Sequence, residues 1–315
     1  MDTCSAHPWI HRLAWASLIV SVLLTIGLGG AVTSTEVGMA YPTWPDMNGA
    51  SLFNFFYGEL AGKYGAGANL EHTHRQAGAL IGLLSILLVV ATVAGRGVPK
   101  AWKGHAVTIL VLVIVQGLLG AFRVTENAQT TAIIHAVGAQ AVVVALVWMV
   151  QRSSKHWALD RATHHSSAAA QLRRWSALSV LLLFLNLGAA ASLRHKEAAF
   201  SGHFVLALTS TACLLLLVWL IARSFREQRA LRQLARWLAN LLGVQLGLGL
   251  GAWALIWGPT ADAIEDERMR FLAQAGFTTA HLLVGVGVMA LAAAIHFEAR
   301  HRVLEERPAG APAEA

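Results

Sequence analysis

Eight long apolar segments constrain this 315-residue chain more than any other feature of its sequence. The segments are approximately residues 13–32, 75–94, 105–122, 131–150, 175–192, 200–222, 237–257 and 277–296. Each approaches the ~20 residues that a helix needs to cross the hydrocarbon of a bilayer. Because lipid offers no hydrogen-bond partner to an open backbone, apolar runs of this length form helices. The sequence therefore predicts an all-α membrane protein with eight transmembrane helices.

The composition supports lipid as the main solvent. Hydrophobic residues make up 56% of the chain and charged residues 13%, with a mean hydropathy of +0.55, a balance that a soluble domain of this size does not reach. A net charge of +7 would raise the question of nucleic acid in a soluble protein. Here the basic residues lie in short loops between apolar runs. We therefore expect membrane lipid, and no nucleic acid, among the partners.

The distribution of basic residues predicts the orientation. The N-terminus and every second loop carry 17 of the 24 Lys and Arg residues, and the opposite side carries 7. Positively charged loops remain in the cytoplasm. Both termini are therefore predicted to be cytoplasmic, in a multi-pass protein of the cell (inner) membrane.

A weak internal repeat relates the two halves. The sequence separation between His74 and Gln116 equals that between His203 and Gln245, so a single offset along the chain superposes one pair on the other. Each half would contain four helices and begin inside, which predicts two parallel-repeat four-helix bundles related by an axis along the membrane normal.

The predicted division of the chain follows from this repeat. An N-terminal half covers 1–150, a cytoplasmic linker 151–174, a C-terminal half 175–300 and a disordered tail 301–315. In the outer connection 258–276, the run ADAIEDERMRFLAQ suggests a short amphipathic helix lying over the bundle.

Four histidines are candidate ligands of heme iron. His74, His135, His203 and His281 each fall within the first turn or two of the predicted helices 2, 4, 6 and 8, which run from outside to inside. A histidine within a span is costly and usually faces the bundle interior, and imidazole is a common axial ligand of heme. The pairs would be His74 with His135 and His203 with His281, near the outer face. The alternative is that each histidine only forms hydrogen bonds between helices.

Glu71 lies three residues before His74, so both share a helix face if the second helix begins early enough. It is either a proton-handling or substrate-orienting group or a carboxylate favoured by the helix N-terminus. The C-terminal half has Phe200 at that offset from its histidine.

Other polar residues have two interpretations. Gln116 and Gln245, each near glycines, are expected mainly to pack helices together, with contact to a porphyrin as the alternative. Arg75 and Arg123 are candidates to meet heme propionates, or, for Arg75, to be solvated.

Five motifs together resemble the heme A synthase family over essentially the whole membrane portion. They are GGAVTSTEVGMAYPTWPDMNG, LEHTHRQAG, QGLLGAFRV, TTAIIHAVGAQ and TTAHLLVGVG. The resemblance implies a heme-dependent oxidoreductase that oxidises a methyl group of heme O to the formyl group of heme A for terminal oxidase assembly. The chain departs from many relatives in having no outer-loop cysteine pair, since its cysteines are Cys4 and Cys213.

The resemblance also implies roles for single residues. His203 and His281 would ligate a heme B cofactor, His74 and His135 would face the iron of the substrate heme O, and Glu71 matches the family's functional glutamate. Candidate partners are heme O synthase, an electron carrier and a second copy of the chain.

Two other classes of function compete with the enzyme. A non-enzymatic diheme membrane cytochrome would use the same histidines for electron transfer, but needs neither Glu71 nor an elaborate first loop. A histidine-lined transporter is disfavoured because the spans lack obvious Gly or Pro breaks at their midplane.

Overall fold

The computed structural model describes residues 7–126, 128–155, 157, 164–195, 199–258 and 260–304. In this part of the chain eight helical runs are long and apolar enough to cross a membrane, which confirms the predicted all-α membrane protein with eight spans. The helices are α1 (Pro8–Ile19), α2 (Gly27–Ser34), α3 (Tyr57–Tyr64), α4 (Ala66–Ala94), α5 (Lys100–Thr125), α6 (Gln129–Ser153), α7 (Ala169–Arg194), α8 (Phe200–Ser224), α9 (Arg229–Ile256) and α10 (Glu267–Arg302).

The first span is one continuous helical run, Pro8–Ser34, in which a π-helical segment, Val20–Ile26, joins α1 to α2. Pro8 stands in the first turn of α1, where its missing N–H is tolerated. The Thr25 hydroxyl donates to the Val20 carbonyl, five residues back, at 3.3 Å. A π-segment changes which residues face inward beyond it, and α2 therefore carries its glycines towards the neighbouring helices.

The two ends of the bundle are different. At one end the His7 ring contacts the Trp102 ring, with centroids 5.9 Å apart. At this same end β1 (His164–His165) pairs in parallel with β2 (Val303–Leu304), which directly follows α10. We call this the terminal end. The opposite end carries the connection 35–65 and is called the loop end; α4, α6, α8 and α10 run from the loop end to the terminal end.

Each set of four spans closes into a ring of neighbours. In the first set α1 contacts α4 and α6, and α5 lies between α4 and α6; in the second set α7, α8, α9 and α10 contact one another in sequence, and α10 returns to α7. The predicted symmetry axis and the cytoplasmic position of the termini stay predictions.

Two apolar cores follow from this arrangement. Ile109 and Leu146 lie in the first core, and Leu172 and Leu217 in the second. Helix α10 contributes to both, since it also packs against α2 and α6. Large apolar side chains remain exposed around the outside, for example Leu250 at 65%, as expected for helices whose outer faces meet lipid.

The last helix corrects one prediction. The amphipathic run 261–274 does not form a separate helix over the bundle, because Glu267–Gln274 is the beginning of α10. Asp266 caps this helix by accepting a hydrogen bond from the Met269 backbone N–H at 2.8 Å. With a cap at Asp266 and no proline between this cap and the apolar segment, the helix continues unbroken.

Part of the predicted tail is ordered. Residues 301 and 302 end α10, and Val303–Leu304 form β2, where the Val303 carbonyl accepts a hydrogen bond from Arg173 at 3.1 Å. Residues 305–315 lie outside the described residues, as does part of the predicted linker 151–174.

Candidate functional site

The four predicted histidines lie on the four helices that run from the loop end to the terminal end. His203 is in the first turn of α8 and His135 in the second turn of α6. His74 is in the third turn of α4, and His281 lies about four turns into α10. The prediction that all four fall in the first two turns is therefore wrong for His74 and His281. These two helices begin well before their apolar segments do.

His203 and His281 form a pair. Their ring centroids are 6.3 Å apart and the ring planes are nearly perpendicular, at 84°. His281 Nδ1 lies 3.1 Å from the Gln245 carbonyl oxygen. If Nδ1 donates this hydrogen bond, the lone pair of His281 remains on Nε2. The side-chain amide Nε2 of Gln245 lies 3.4 Å from that nitrogen, a contact that a metal bound there would replace.

The spacing of this pair fits axial ligation of heme iron. Two imidazoles that bind one metal ion from opposite sides, with bonds of about 2.0 Å, have centroids roughly 6 Å apart. No group of three or more His, Cys, Asp or Glu residues among the described ones is arranged to hold a metal ion. The donor set therefore suits a metal that brings its own equatorial ligands, as heme iron does.

His74 and His135 are the corresponding residues of the first four spans. They are close enough to interact electrostatically. The ring of each lies beside a backbone partner, that of Thr25 for His74 and that of Gln116 for His135, as His203 lies beside that of Asn186. Each of these rings is therefore held against a neighbouring helix, as His281 is by the Gln245 carbonyl.

Glycines provide the space for three of the imidazoles. A Cβ on Gly29 would lie 2.8 Å from His74 Cε1, one on Gly249 would lie 2.8 Å from His281 Cε1, and one on Gly120 would lie 3.4 Å from His135 Cε1. The first two contacts are closer than a real Cβ tolerates, so only glycine lets these rings lie directly against the neighbouring helix.

The two glutamines pack beside the same histidines. A Cβ on Gly285 would lie 3.0 Å from Gln245 Nε2. A Cβ on Gly138 would likewise collide with Gln116 Nε2. Each glutamine is followed four residues later by a glycine that contacts a histidine, Gly120 or Gly249. Sequence reasoning recorded the glutamine-glycine motifs but did not connect them to the histidines; the repeated four-residue spacing is the signal that could have done so.

Glu71 is buried at the loop end, 3% exposed. Its Oε2 accepts hydrogen bonds from the backbone N–H groups of Ala40, at 2.8 Å, and Tyr41, at 3.3 Å. Its Oε1 accepts one from Arg75 Nη2 at 2.7 Å. Helix α4 begins at Ala66, early enough to include Glu71, as its proposed relation to His74 requires. The carboxylate also anchors the loop-end connection 35–65, a role that sequence reasoning did not anticipate.

Arg75 belongs to the same anchor. It donates to the carbonyl oxygens of Tyr41 at 2.6 Å and Thr43 at 2.8 Å. Arg123 donates to the Gly38 carbonyl at 3.0 Å. Of the two arginines suggested for heme propionates, Arg75 is thus committed to the loop, while Arg123 makes one loop contact.

The next residues on α4 hold the remainder of the loop. His72 Nε2 lies 2.6 Å from the Asn54 carbonyl oxygen, and Gln76 Nε2 donates to the Leu52 carbonyl at 3.1 Å. The Tyr57 hydroxyl donates to Gln76 Oε1 at 2.6 Å. The loop is therefore fixed against one face of α4, beside the N-terminal histidine pair.

Tyr41 lies at the centre of this contact and is fully buried. Burial raises the pKa of Tyr41 above its ordinary value, the negative charge of Glu71 and the neighbouring Tyr64 raise it further, and Arg75 partly opposes them. The hydroxyl is therefore neutral at physiological pH, and it has no hydrogen-bond partner among the described residues.

The fold and site together define a multi-pass helical membrane protein with histidine pairs between its helices. Residues 61–202 match the model of the COX15-CtaA family, described as cytochrome oxidase assembly protein. The chain is 33% identical over 107 residues to heme A synthase of Chelativorans sp. (strain BNC1), a match that covers 33% of this chain and 29% of that protein. It is 30% identical over 155 residues to heme A synthases of Cereibacter sphaeroides strains ATCC 17029 and KD131, covering 45% of this chain and 38% of theirs.

These matches confirm the resemblance seen in the motifs and support the heme A synthase family for this chain. The matched part spans well under half the length of the curated relatives. No solved structure matches the chain.

Proposed function

We propose that this protein is a heme A synthase, which oxidises a methyl group of heme O to the formyl group of heme A for terminal oxidase assembly. The observation that carries the proposal is the His203–His281 pair, with centroids 6.3 Å apart, in a chain whose relatives are named heme A synthase. The second pair, His74 with His135, supplies the further site that a substrate heme requires.

The residues have separate roles in this proposal. His203 and His281 hold heme B as the cofactor, and His74 and His135 face the iron of heme O. A bound heme supplies the iron-centred redox chemistry, while the protein supplies position and electrostatics. The near-perpendicular rings and the Gln245 contact to His281 orient the cofactor ligands.

Glu71 is proposed as the catalytic carboxylate. Converting a methyl group and a water molecule to a formyl group releases both protons and electrons; a carboxylate next to the substrate can accept the protons, and the electron carrier takes the electrons. The hydrogen bonds from Ala40, Tyr41 and Arg75 fix its position at the loop end. The loop is held by residues next to His74 on the same helix, Glu71 and Arg75.

The proposed orientation places the loop end at the outer face of the cell membrane and both termini in the cytoplasm. The excess of basic residues on the terminal side supports this. Heme O synthase is the proposed source of the substrate, an electron carrier receives the electrons, and a homo-oligomer is the candidate assembly.

One experiment tests the proposed reaction. The full chain is expressed in cells that make heme O but no heme A, and the extracted hemes are identified by mass. Heme A should form with the wild-type chain and not with the empty vector. Bound heme B without any heme A would favour a diheme electron-transfer cytochrome instead, and no bound heme of either kind would exclude both.

A further inference from the structure

Arg194 is a cation that the proposed roles have not used. It is the last residue of α7, at the loop end and between the two sets of spans. Its Nη2 donates to the Gly30 carbonyl at 2.9 Å and to the Ser34 hydroxyl on α2. Both partners are neutral, and no carboxylate in the described part of the chain lies within ion-pair distance of Arg194.

The remaining donors of Arg194 make no hydrogen bond to any residue that the structure describes. A guanidinium carries five N–H groups in a planar fork, and the hydrogen bonds of Arg194 to described residues use Nη2 alone. Partly buried arginines normally meet a carboxylate or phosphate that matches this fork. Arg194 is therefore held through Nη2 only, and its Nε and Nη1 have no partners among the described residues.

The position of Arg194 relates it to the C-terminal histidine pair. Ser34, its partner, shares hydrogen bonds with Thr278 at 3.0 Å and Thr279 at 3.1 Å. Thr278 lies one helical turn before His281 on α10, and Arg194 is near enough to interact electrostatically with His281. The guanidinium thus lies on the loop-end side of the His203–His281 pair.

The internal repeat does not provide an arginine at the loop end of α9, so the positive charge near the second histidine pair comes from another helix. Arg123, on α5, is one of two arginines at the loop end of the first four spans in the described part of the chain, and Arg75 on α4 is bound to the connection 35–65. The offset that carries His74 onto His203 carries Arg123 onto Ala252, at the matching position of α9. The second set of spans has no arginine there, and Arg194 brings the charge from α7.

We propose that Arg194 binds a propionate carboxylate of the heme that His203 and His281 hold. This rests on the proposed function, because it requires heme at that pair. The propionate edge of the heme then faces the loop end. Arg194, which is hydrogen-bonded to α2, thereby links the cofactor to the first span.

The test compares heme B with heme B dimethyl ester, whose propionates carry no charge, on the purified full-length protein. We expect the wild-type chain to release the ester about tenfold faster or more than heme B, because a hydrogen bond to a charged group is lost. R194Q should release heme B about as fast as wild type releases the ester, and should release the ester no faster than wild type does. The low-spin spectrum should persist, and the midpoint potential should fall because a nearby positive charge is removed.

The matched control is R223Q. Arg223 lies over the Trp219 ring at the opposite end of the bundle, so this variant should release both hemes as the wild type does. Equal retention of the ester and heme B by the wild-type chain would overturn the proposal, even if R194Q failed to fold. A loss in R194Q that is equal for both hemes would also overturn it, since that result indicates a structural role. A wild-type protein that binds no heme would instead contradict the proposed function.

Discussion

Arg75 Nη2 lies 2.7 Å from Glu71 Oε1, one turn along α4, and both side chains bind the same stretch of the loop-end connection 35–65. Glu71 accepts from the backbone of Ala40 and Tyr41, while Arg75 donates to the carbonyls of Tyr41 and Thr43. Together the two side chains hold both N–H groups and carbonyl groups of the loop backbone. Glu71 thus has an anchoring role in addition to its proposed catalytic role.

The first prediction separates these two roles. E71Q keeps the shape of the side chain but removes the group that accepts a proton, so heme A formation should fall by roughly 100-fold, with heme B retained. R75Q weakens the loop anchor and leaves the carboxylate in place, so its heme A formation should fall less than about tenfold. Heme A per bound heme B, measured by extraction and mass, makes the comparison. If R75Q is as defective as E71Q, Glu71 serves as an anchor only.

The second prediction concerns the cofactor ligands. H203A and H281A should each lose the low-spin bis-imidazole spectrum of the purified protein, because each removes one axial ligand. H296Q is the control, since His296 contacts the Ser176 hydroxyl at 3.1 Å, far along α10 from His281, and it should keep the spectrum. A normal spectrum in the H203A/H281A double variant would contradict the assignment.

The third prediction uses the glycines of α9. G249A adds a Cβ 2.8 Å from His281 Cε1, so the ring must move and the heme spectrum or its retention should change. G247A lies on the same helix, where an added Cβ meets no atom within 4 Å, and it should keep the heme and stabilise the helix by about 0.5–1 kcal/mol. Absorption spectra and thermal melts of both variants provide the measurements. Identical spectra for the two variants would show that Gly249 does not determine the ring position.

The fourth prediction is topological. Reporter fusions in the connection 35–56 and in 260–266 should report the outer face, and fusions at either terminus should report the cytoplasm, because the loops on the terminal side carry most of the Lys and Arg residues. Any cytoplasmic signal from the 35–56 connection would reverse the orientation and place the histidine pairs near the inner face.

The sequence predicts the spans well because hydropathy averages over many residues. The sequence also predicts the His203–His281 pair. The cost of burying a histidine in lipid directs both rings to the bundle interior, and the repeat places them on corresponding helices. The sequence does not predict where α4 and α10 begin, since their first turns are polar or small. Asp266 caps α10, whereas α4 begins after Gly65 without a side-chain cap.

The contacts that the sequence did not predict are those made between distant segments. Glu71 reaches Ala40, and Arg194 reaches Ser34, across connections whose path no local pattern reveals. The closeness of Gly29 to His74 depends on the π-helical segment before it, which has no clear sequence signal. These features needed coordinates, whereas the identity of the candidate ligands did not.

Helix α10 belongs to both apolar cores, with Val286 and Ala294 in the first and Val288 and Ala292 in the second. It is also the last of the eight spans to leave the ribosome. Until α10 inserts, each core lacks the apolar side chains that this helix contributes. His203 then also lacks its partner, His281. Both apolar cores are therefore completed by the same helix, and a translational arrest before α10 should leave the C-terminal half unable to retain heme, because His281 is missing.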